Sequence, residues 1–205
     1  MKPKDIGTDS DRALLLDFQA TLETKPEKAI KLEEDALAQI ENITADNARL
    51  VSNLHANLGG LYRMNGHPDL AREHMEKSIS LLDQFNLLHI NDSIPQIANY
   101  AMFLTEQQEP ERGISELQKL SGIIKEYHSD DCLDYAKVQE TLGTIYLMTA
   151  NLPQAKTHFK RAFKIYEKIW ADEPEMIEAK YQEIQELYPQ IGFCIGKNLS
   201  GLLTK

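Results

Sequence analysis

Apolar residues recur three and four positions apart through most of the chain, a spacing that places them on one face of an α-helix. Met75, Leu117 and Phe159 hold one such apolar position and lie 42 residues apart. No run of Val, Ile and Thr alternates with polar residues over five positions, so strands are not indicated. The pattern predicts an all-α chain built from repeated amphipathic helices.

Proline follows the same period. It stands at positions 26, 68 and 110, and each is followed three residues later by a small side chain, namely Ala29, Ala71 and Gly113. The fourth repeat has Pro153 one position late and Ala155 on time. Proline suits the first turn of a helix, where its missing N–H removes no intrahelical bond, and small residues let two helix axes approach closely. Each repeat is therefore predicted to hold two helices, with the proline opening the second.

The period divides the chain into four repeats inside one predicted domain, 1–205. We place them at about 10–43, 52–85, 94–127 and 136–169, followed by a partial repeat and a terminal helix over 174–205. Thr24 and Glu27 have the spacing of a capping box at the start of a second helix. Asp46, Asp131 and similar polar residues between repeats are predicted to lengthen the next helix backwards.

Two segments resemble the tetratricopeptide family, whose 34-residue repeat carries Leu-Gly, Tyr, Ala, Phe and Ala in this order. They are NLGGLYRMNGHPDLAREHMEKS at 57–78 and TLGTIYLMTANLPQAKTHFKRA at 141–162. The 42-residue period is similar to the longer variant of kinesin light chains and many bacterial proteins. The resemblance covers roughly 10–188 and implies a right-handed superhelix of helix-turn-helix repeats. The first repeat departs from the pattern, because Asp17 and Ala20 replace the glycine and the tyrosine.

A helical stripe of apolar residues continues beyond Tyr181. It comprises Ile184, Tyr188, Ile191, Ile195, Leu199 and Leu202, and it predicts a long terminal helix with a kink near Pro189 and Gly192. An open end of a repeat stack exposes a core face that needs covering. The helix is expected either to cap the fourth repeat, leaving a monomer, or to pair with another chain in a weak homodimer.

Composition narrows the choice of partners and location. A net charge of −10 repels phosphate backbones, so we expect no nucleic acid partner. No 18 apolar residues run together, and the start MKPKDIGTDSDR lacks the apolar core of a signal peptide, so we expect no membrane association. Cys132 and Cys194 lie far apart in sequence, which favours reduced thiols and a cytoplasmic protein.

No catalytic motif is visible. The six histidines lack the spacing of a metallopeptidase helix, and Gly59-Gly60 lies within a predicted helix rather than in a phosphate-binding loop. The sequence therefore predicts neither an enzyme nor a cofactor or metal site.

A binding surface is implied by the family resemblance, because the first helix of each tetratricopeptide repeat lines the concave side of the superhelix. The residues carried onto this side as a peptide-binding groove are Arg63, Met64, Asn99, Met102, Lys137, Thr144, Leu147 and Met148. Methionine adapts to varied partners, although some of these side chains could instead be buried by a neighbouring repeat. Only Asn99 and Lys137 fit the carboxylate clamp of co-chaperones, so no such clamp is predicted.

These features favour a scaffold or adaptor that binds a peptide or helix of another protein in its concave groove. The alternative is a peptide-sensing regulatory module related to bacterial signal-peptide receptors, whose solenoids have a similar repeat length. Neither hypothesis identifies the partner.

Overall fold

The computed structural model describes residues 7–89 and 93–187, and within these ranges it contains nine α-helices and no strand. The helices are α1 (Asp9–Leu22), α2 (Pro26–Leu37), α3 (Ala48–Met64), α4 (Pro68–Gln84), α5 (Ser93–Glu106), α6 (Pro110–Tyr127), α7 (Leu133–Met148), α8 (Leu152–Ile169) and α9 (Pro174–Leu187). Each predicted repeat contains two of them. The predicted all-α repeat fold is confirmed.

Proline begins the second helix as predicted. Pro26, Pro68 and Pro110 are the first residues of α2, α4 and α6, and Pro153 is the second residue of α8. The late proline of the fourth repeat is thus accommodated without leaving the first turn, where no intrahelical hydrogen bond is lost.

The turn between the paired helices recurs at one position of the repeat. Gly66, Gln108 and Ala150 lie 42 residues apart and adopt positive φ angles of 76°, 65° and 59°. After each one, the next backbone N–H bonds to a carbonyl five residues earlier, as in the bond of 2.9 Å from His67 to Tyr62. Glycine adopts this left-handed conformation without strain, whereas glutamine and alanine do not. The repeat therefore requires this backbone conformation even where the sequence lacks glycine.

The predicted capping box at α2 is wrong. Lys25 is the N-cap and its side chain makes no capping hydrogen bond, because Pro26 fixes the first helical position one residue later than the Thr24 spacing requires. The Glu23 carboxylate instead accepts hydrogen bonds from the backbone N–H groups of Thr24 and Lys25, at 2.9 and 3.0 Å. A capping box does occur at α1, between Thr8 and Asp11.

The first helices of two repeats extend backwards as predicted, but with different caps. The N-cap of α3 is Asn47 rather than Asp46, and it makes no side-chain capping bond. The N-cap of α7 is Cys132 rather than Asp131, and its thiol accepts a hydrogen bond from the N–H of Tyr135. The polar links between repeats therefore mark helix starts to within one residue.

The chain forms two compact bodies, an N-terminal body at Met1–Phe103 and a C-terminal body at Leu104–Lys205. In the N-terminal body, a Cβ atom on Gly59 would lie 2.6 Å from Cγ of Met75. In the C-terminal body, a Cβ on Gly143 would lie 2.9 Å from the Phe159 ring. The paired helices therefore approach closely at both glycines, and the small residues predicted at these crossings, Ala71 and Ala155, are fully buried. A single domain over 1–205 stays a prediction.

Helix α9 packs within the C-terminal body. Ile177, Tyr181 and Ile184 are buried, and the Tyr181 ring stacks on Phe163 with 4.2 Å between ring centroids. This helix corresponds to the predicted partial repeat. The predicted kink at Pro189 and Gly192, and the choice between capping and dimerisation, lie outside the described residues.

Candidate functional site

The eight predicted groove residues divide equally between the two bodies. The N-terminal body holds Arg63, Met64, Asn99 and Met102, and the C-terminal body holds Lys137, Thr144, Leu147 and Met148. Each set is described within its own body.

Met64 and Asn99 line a common cavity of about 250 Å³ in the N-terminal body. Met64, the last residue of α3, is 75% exposed. Arg63 and Met102 are half-buried. The structure thus brings two predicted residues together, and it adds Thr21, Glu33, Asn57 and Gly60 among the cavity's other lining residues.

A second cavity, of about 310 Å³, adjoins the first and shares three lining residues with it, Ala56, Asn57 and Asn99. We call the two cavities together the N-terminal groove. Its polar lining residues are Asp17, Thr21, Glu33, Asn53, Asn57, Ser78, Gln96 and Asn99. They come from α1 to α5, so several helices contribute to one continuous polar floor.

Hydrogen bonds fix part of this floor. The side-chain oxygen of Gln96 accepts from the hydroxyl groups of Ser52 and Ser78, at 2.8 and 2.6 Å. Its amide nitrogen donates to the side-chain oxygen of Asn53 at 2.5 Å. Ser52, Ser78 and Gln96 are all buried. A fully bonded network of this kind holds its side chains in one arrangement.

Two carboxyl groups meet beside the groove. The Nδ2 group of Asn57 donates to Oδ1 of Asp17 at 2.8 Å and to Oε1 of Glu33 at 3.1 Å. Glu33 is only 2% exposed, and its Oε2 atom is buried without a hydrogen-bond partner. Burial, reinforced by the negative charge of Asp17, raises the pKa of Glu33 to about 8.

Glu33 occupies a core position of the repeat. Counting 42 residues at a time, the equivalent residues are Met75, Leu117 and Phe159. Asp17 likewise stands where the later repeats have Gly59, Ala101 and Gly143. Gly59 contacts Met75, and Gly143 contacts Phe159. The first repeat therefore has two acids at the helix crossing where other repeats pair a small residue with an apolar one.

The 42-residue repeat register contains this information, since it marks the first repeat as a departure from the pattern. The substitution of an apolar core position by glutamate, opposite a second acid, was the feature that could have revealed the site. Asn57 was also missed, although it is the repeat equivalent of the predicted Asn99.

Apolar side chains on α1 lie next to this polar floor. Leu14, Phe18 and Leu22 recur every four residues and are all exposed, with Phe18 at 60%. At about 100° per residue, this stripe is adjacent to Asp17 and Thr21, which line the cavities. An exposed apolar stripe beside a concave surface is a common feature of protein-binding sites.

The four predicted residues of the C-terminal body lie on α7. Lys137 is exposed, with its Nζ 3.9 Å from a carboxylate oxygen of Asp134. The Thr144 hydroxyl donates to the backbone carbonyl of Glu140 at 3.1 Å. Leu147 is half-buried and Met148 is 47% exposed. Lys137, Thr144 and Met148 share one helix face, because they lie seven and then four residues apart.

A histidine pair connects α3 to α4. The Nδ1 atoms of His55 and His74 are 3.0 Å apart. Burial, together with the positive charge of His74, lowers the pKa of His55 to about 4. Gln139 and His158 are the equivalent residues two repeats later, and their Oε1 and Nδ1 atoms lie 2.9 Å apart. The pair that neutral His55 forms with His74 thus has the structural role that the Gln139–His158 pair has in the fourth repeat.

In 7–89 and 93–187, no three His, Cys, Asp or Glu side chains are grouped to hold a metal ion. Among the helices of the same ranges, none combines the length and the apolar character needed to span a bilayer.

Residues 93–168 match the tetratricopeptide repeat family. This segment consists of tetratricopeptide repeats. No curated protein matches the chain significantly. The predicted resemblance is confirmed, and tetratricopeptide repeats generally mediate protein–protein interaction.

Solved structures show the same fold. BtubC (BKLC) from P. vanneervenii is 17% identical, with a TM-score of 0.72, and the match covers 94% of this chain and 79% of that one. A variant of a Podosopora anserina protein, named for kinesin light chain and its nearly identical TPR-like repeats, has a TM-score of 0.69 at 14% identity. That match covers 82% of this chain and 81% of the other. At these identities the comparison shows the tetratricopeptide fold alone.

Proposed function

We propose that this protein is an interaction module that binds a peptide or helix of a partner protein in the N-terminal groove. The observation that carries the proposal is a fixed polar floor bordered by strongly exposed apolar side chains, Met64 and Phe18. Peptide recognition of this kind uses apolar anchors, with polar groups that set direction.

Two of the eight residues predicted from sequence line the N-terminal groove, and the other six do not. Met64 and Asn99 line the groove, and Arg63 and Met102 are on the same helices, α3 and α5. On α7, Lys137, Thr144 and Met148 with the neighbouring Leu147 are proposed as contacts for a peptide within the C-terminal body alone. The proposal is for binding rather than catalysis, and it includes a cytoplasmic location and no nucleic acid partner.

The proposal is tested by selecting N-terminally acetylated nonapeptides from a random display library against the full chain. Met64→Glu places a charge on the exposed apolar border, and we expect it to weaken the selected peptides at least tenfold. Met176→Glu is the matched control, because Met176 is an exposed methionine on α9. A second variant, with Met102→Glu and Met148→Glu together, tests the residues predicted from sequence.

Circular dichroism and the thermal midpoint of each variant separate lost binding from lost folding. We expect Met64→Glu to leave both nearly unchanged, since its side chain lies mostly in solvent. If the selected peptides bind Met64→Glu as tightly as the wild type, the N-terminal groove is not the binding site.

A further inference from the structure

We propose that Asp17, Glu33 and Asn57 form a cation pocket that receives the lysine or arginine side chain of a peptide bound in the N-terminal groove. This inference rests on the proposed function and names the chemistry of the partner. Three observations support it: the hydrogen-bonded geometry of the carboxyl pair, the buried Glu33 oxygen without a partner, and the apolar side chains that line the cavity.

The carboxyl pair is held in place but is incompletely bonded. Asn57 donates one hydrogen bond to each carboxyl group, at 2.8 and 3.1 Å. These bonds use Oδ1 of Asp17 and Oε1 of Glu33, and they leave Oε2 of Glu33 buried without a partner. A buried carboxylate oxygen without a donor is costly. A positively charged donor between the two carboxyl groups would supply the missing partner.

The equivalent positions in the other repeats show that the repeat fold does not require acids at this crossing. In the next repeat, the same crossing is filled by Gly59 and Met75, which pack without polar groups. An apolar residue at position 33 would avoid the cost of burying a carboxyl group. A cation bound between the two carboxyl groups would offset that cost.

The surroundings favour a cation on an organic side chain over a metal ion. The Nδ2 group of Asn57, a donor, faces both carboxyl groups, whereas a metal ion would bind the amide oxygen. The 250 Å³ cavity is also lined by Ala20, Leu61 and Met64. Apolar side chains of this kind pack against the aliphatic stem of lysine or arginine while the charged end reaches the carboxylates. The net charge of −10 further attracts basic peptides.

Binding of a cation should be coupled to release of a proton. Besides burial, the groups that act on Glu33 are Asp17 from α1, through its charge and a hydrogen bond between the two carboxyl groups, and the neutral amide of Asn57 from α3. Because the pKa of Glu33 is about 8 in the free protein, its carboxyl group is mostly protonated at pH 7. A bound cation favours the ionised form, so affinity is expected to rise with pH up to about 8 and then level off.

The experiment uses the peptides selected against the full chain. We expect them to share one basic residue, and we expect its replacement by glutamine to weaken binding to the wild type at least tenfold. In the variant with Asp17→Asn and Glu33→Gln, the same replacement should change binding less than twofold. Glu27→Gln is the matched control, because Glu27 is an exposed acid on the same helix, and it should behave like the wild type.

Two further arms keep the inference testable. Asp17→Asn alone changes a half-buried side chain. It replaces the double variant in the peptide-binding measurement if the double variant does not fold. The second arm titrates the full chain with Nα-acetyl-lysine methylamide, which has a side-chain ammonium group but no free amino terminus. Carboxyl NMR should show the Glu33 resonance moving towards its ionised form, and the Nε-acetylated analogue should produce no movement.

The outcomes separate the two proposals. Selected peptides that depend on Met64 but show no basic preference, or keep that preference in the double variant, would overturn the cation pocket and leave the proposed function standing. If no peptide depends on Met64, the proposed function fails, and the lysine titration alone decides whether the pocket exists.

Discussion

Two helix glycines with opposite surroundings show how closely the paired helices pack. A Cβ on Gly143 would lie 2.9 Å from the ring of buried Phe159, whereas a Cβ on Gly60 would meet nothing within 4 Å. We expect Gly143→Ala to lower the free energy of unfolding by about 1–3 kcal/mol through overpacking. Gly60→Ala should be neutral or raise it by up to about 1 kcal/mol, since alanine favours helix. Urea unfolding measures both, and equal effects would show that the crossing is not tight.

Glu33 should make stability fall as the pH rises. Its pKa is about 8 in the folded protein and near 4.5 when unfolded, so between these values the folded state binds more protons. Its contribution to stability is therefore complete below about pH 4.5 and is lost as the pH rises to about 8. Glu33→Gln cannot ionise, so we expect its stability relative to the wild type to increase across this window.

Urea unfolding at several pH values measures this difference, with Glu27→Gln as the control that should follow the wild-type profile. A difference between Glu33→Gln and the wild type that does not change with pH would show that Glu33 ionises normally in the folded chain.

The repeat pattern indicates Met64 and Asn99 but not the other polar residues that line the N-terminal groove. Met64 and Asn99 were found because they lie on first helices at positions that the family turns inwards. Glu33 lies on a second helix, which the same rule does not examine. The bonds from Asn57 and Gln96 depend on how neighbouring helices cross, and hydrophobic periodicity does not specify those distances.

At the scale of the helix, prediction succeeded where one residue restricts the backbone. Pro26, Pro68 and Pro110 begin their helices because proline fixes φ and lacks a donor. The capping box at Thr24 failed because the same restriction at Pro26 moved the N-cap to Lys25. A positive φ at Gln108 was not predictable from residue type, since only the repeat register relates it to Gly66.

The histidine pair that connects α3 and α4 should make the protein less stable as the pH falls below neutral. The pKa of His55 is about 4 in the folded state against an ordinary 6.5, so the unfolded state binds more protons between these values. Stability contributed by neutral His55 is lost as the pH falls through that window. His55→Gln should reduce this loss, because Gln139 makes the equivalent pair with His158.

Thermal unfolding from about pH 7 to about pH 4 measures the effect of His55→Gln, with the exposed His67→Gln as the control. After burial, His74 has the largest effect on the pKa of His55, followed by Lys77 and Glu73. If His55→Gln and the wild type lost stability in parallel, protonation of His55 would not contribute to acid unfolding.

At the scale of the whole molecule, residues 189–205 provide a test that rests on the sequence. Their apolar residues continue the helical spacing of the preceding segment, and the end of a repeat stack needs covering. We expect deletion of 189–205 to lower solubility or the thermal midpoint. Light scattering and thermal unfolding check this, and a change from dimer to monomer would favour pairing with another chain. An equally stable and monodisperse truncated protein would exclude both roles.

The small core of the first repeat has a consequence for motion. The buried residues of α1 and α2 are four alanines and Glu33, whereas α3 and α4 bury leucines, Met75 and Tyr62. Local opening costs least where little apolar surface is buried. Amide hydrogens of α1 and α2 should therefore exchange with solvent sooner than those of α3 and α4. Any ligand that binds between the carboxyl groups of Asp17 and Glu33 would slow that exchange, so hydrogen exchange at the first helix pair would report occupancy directly.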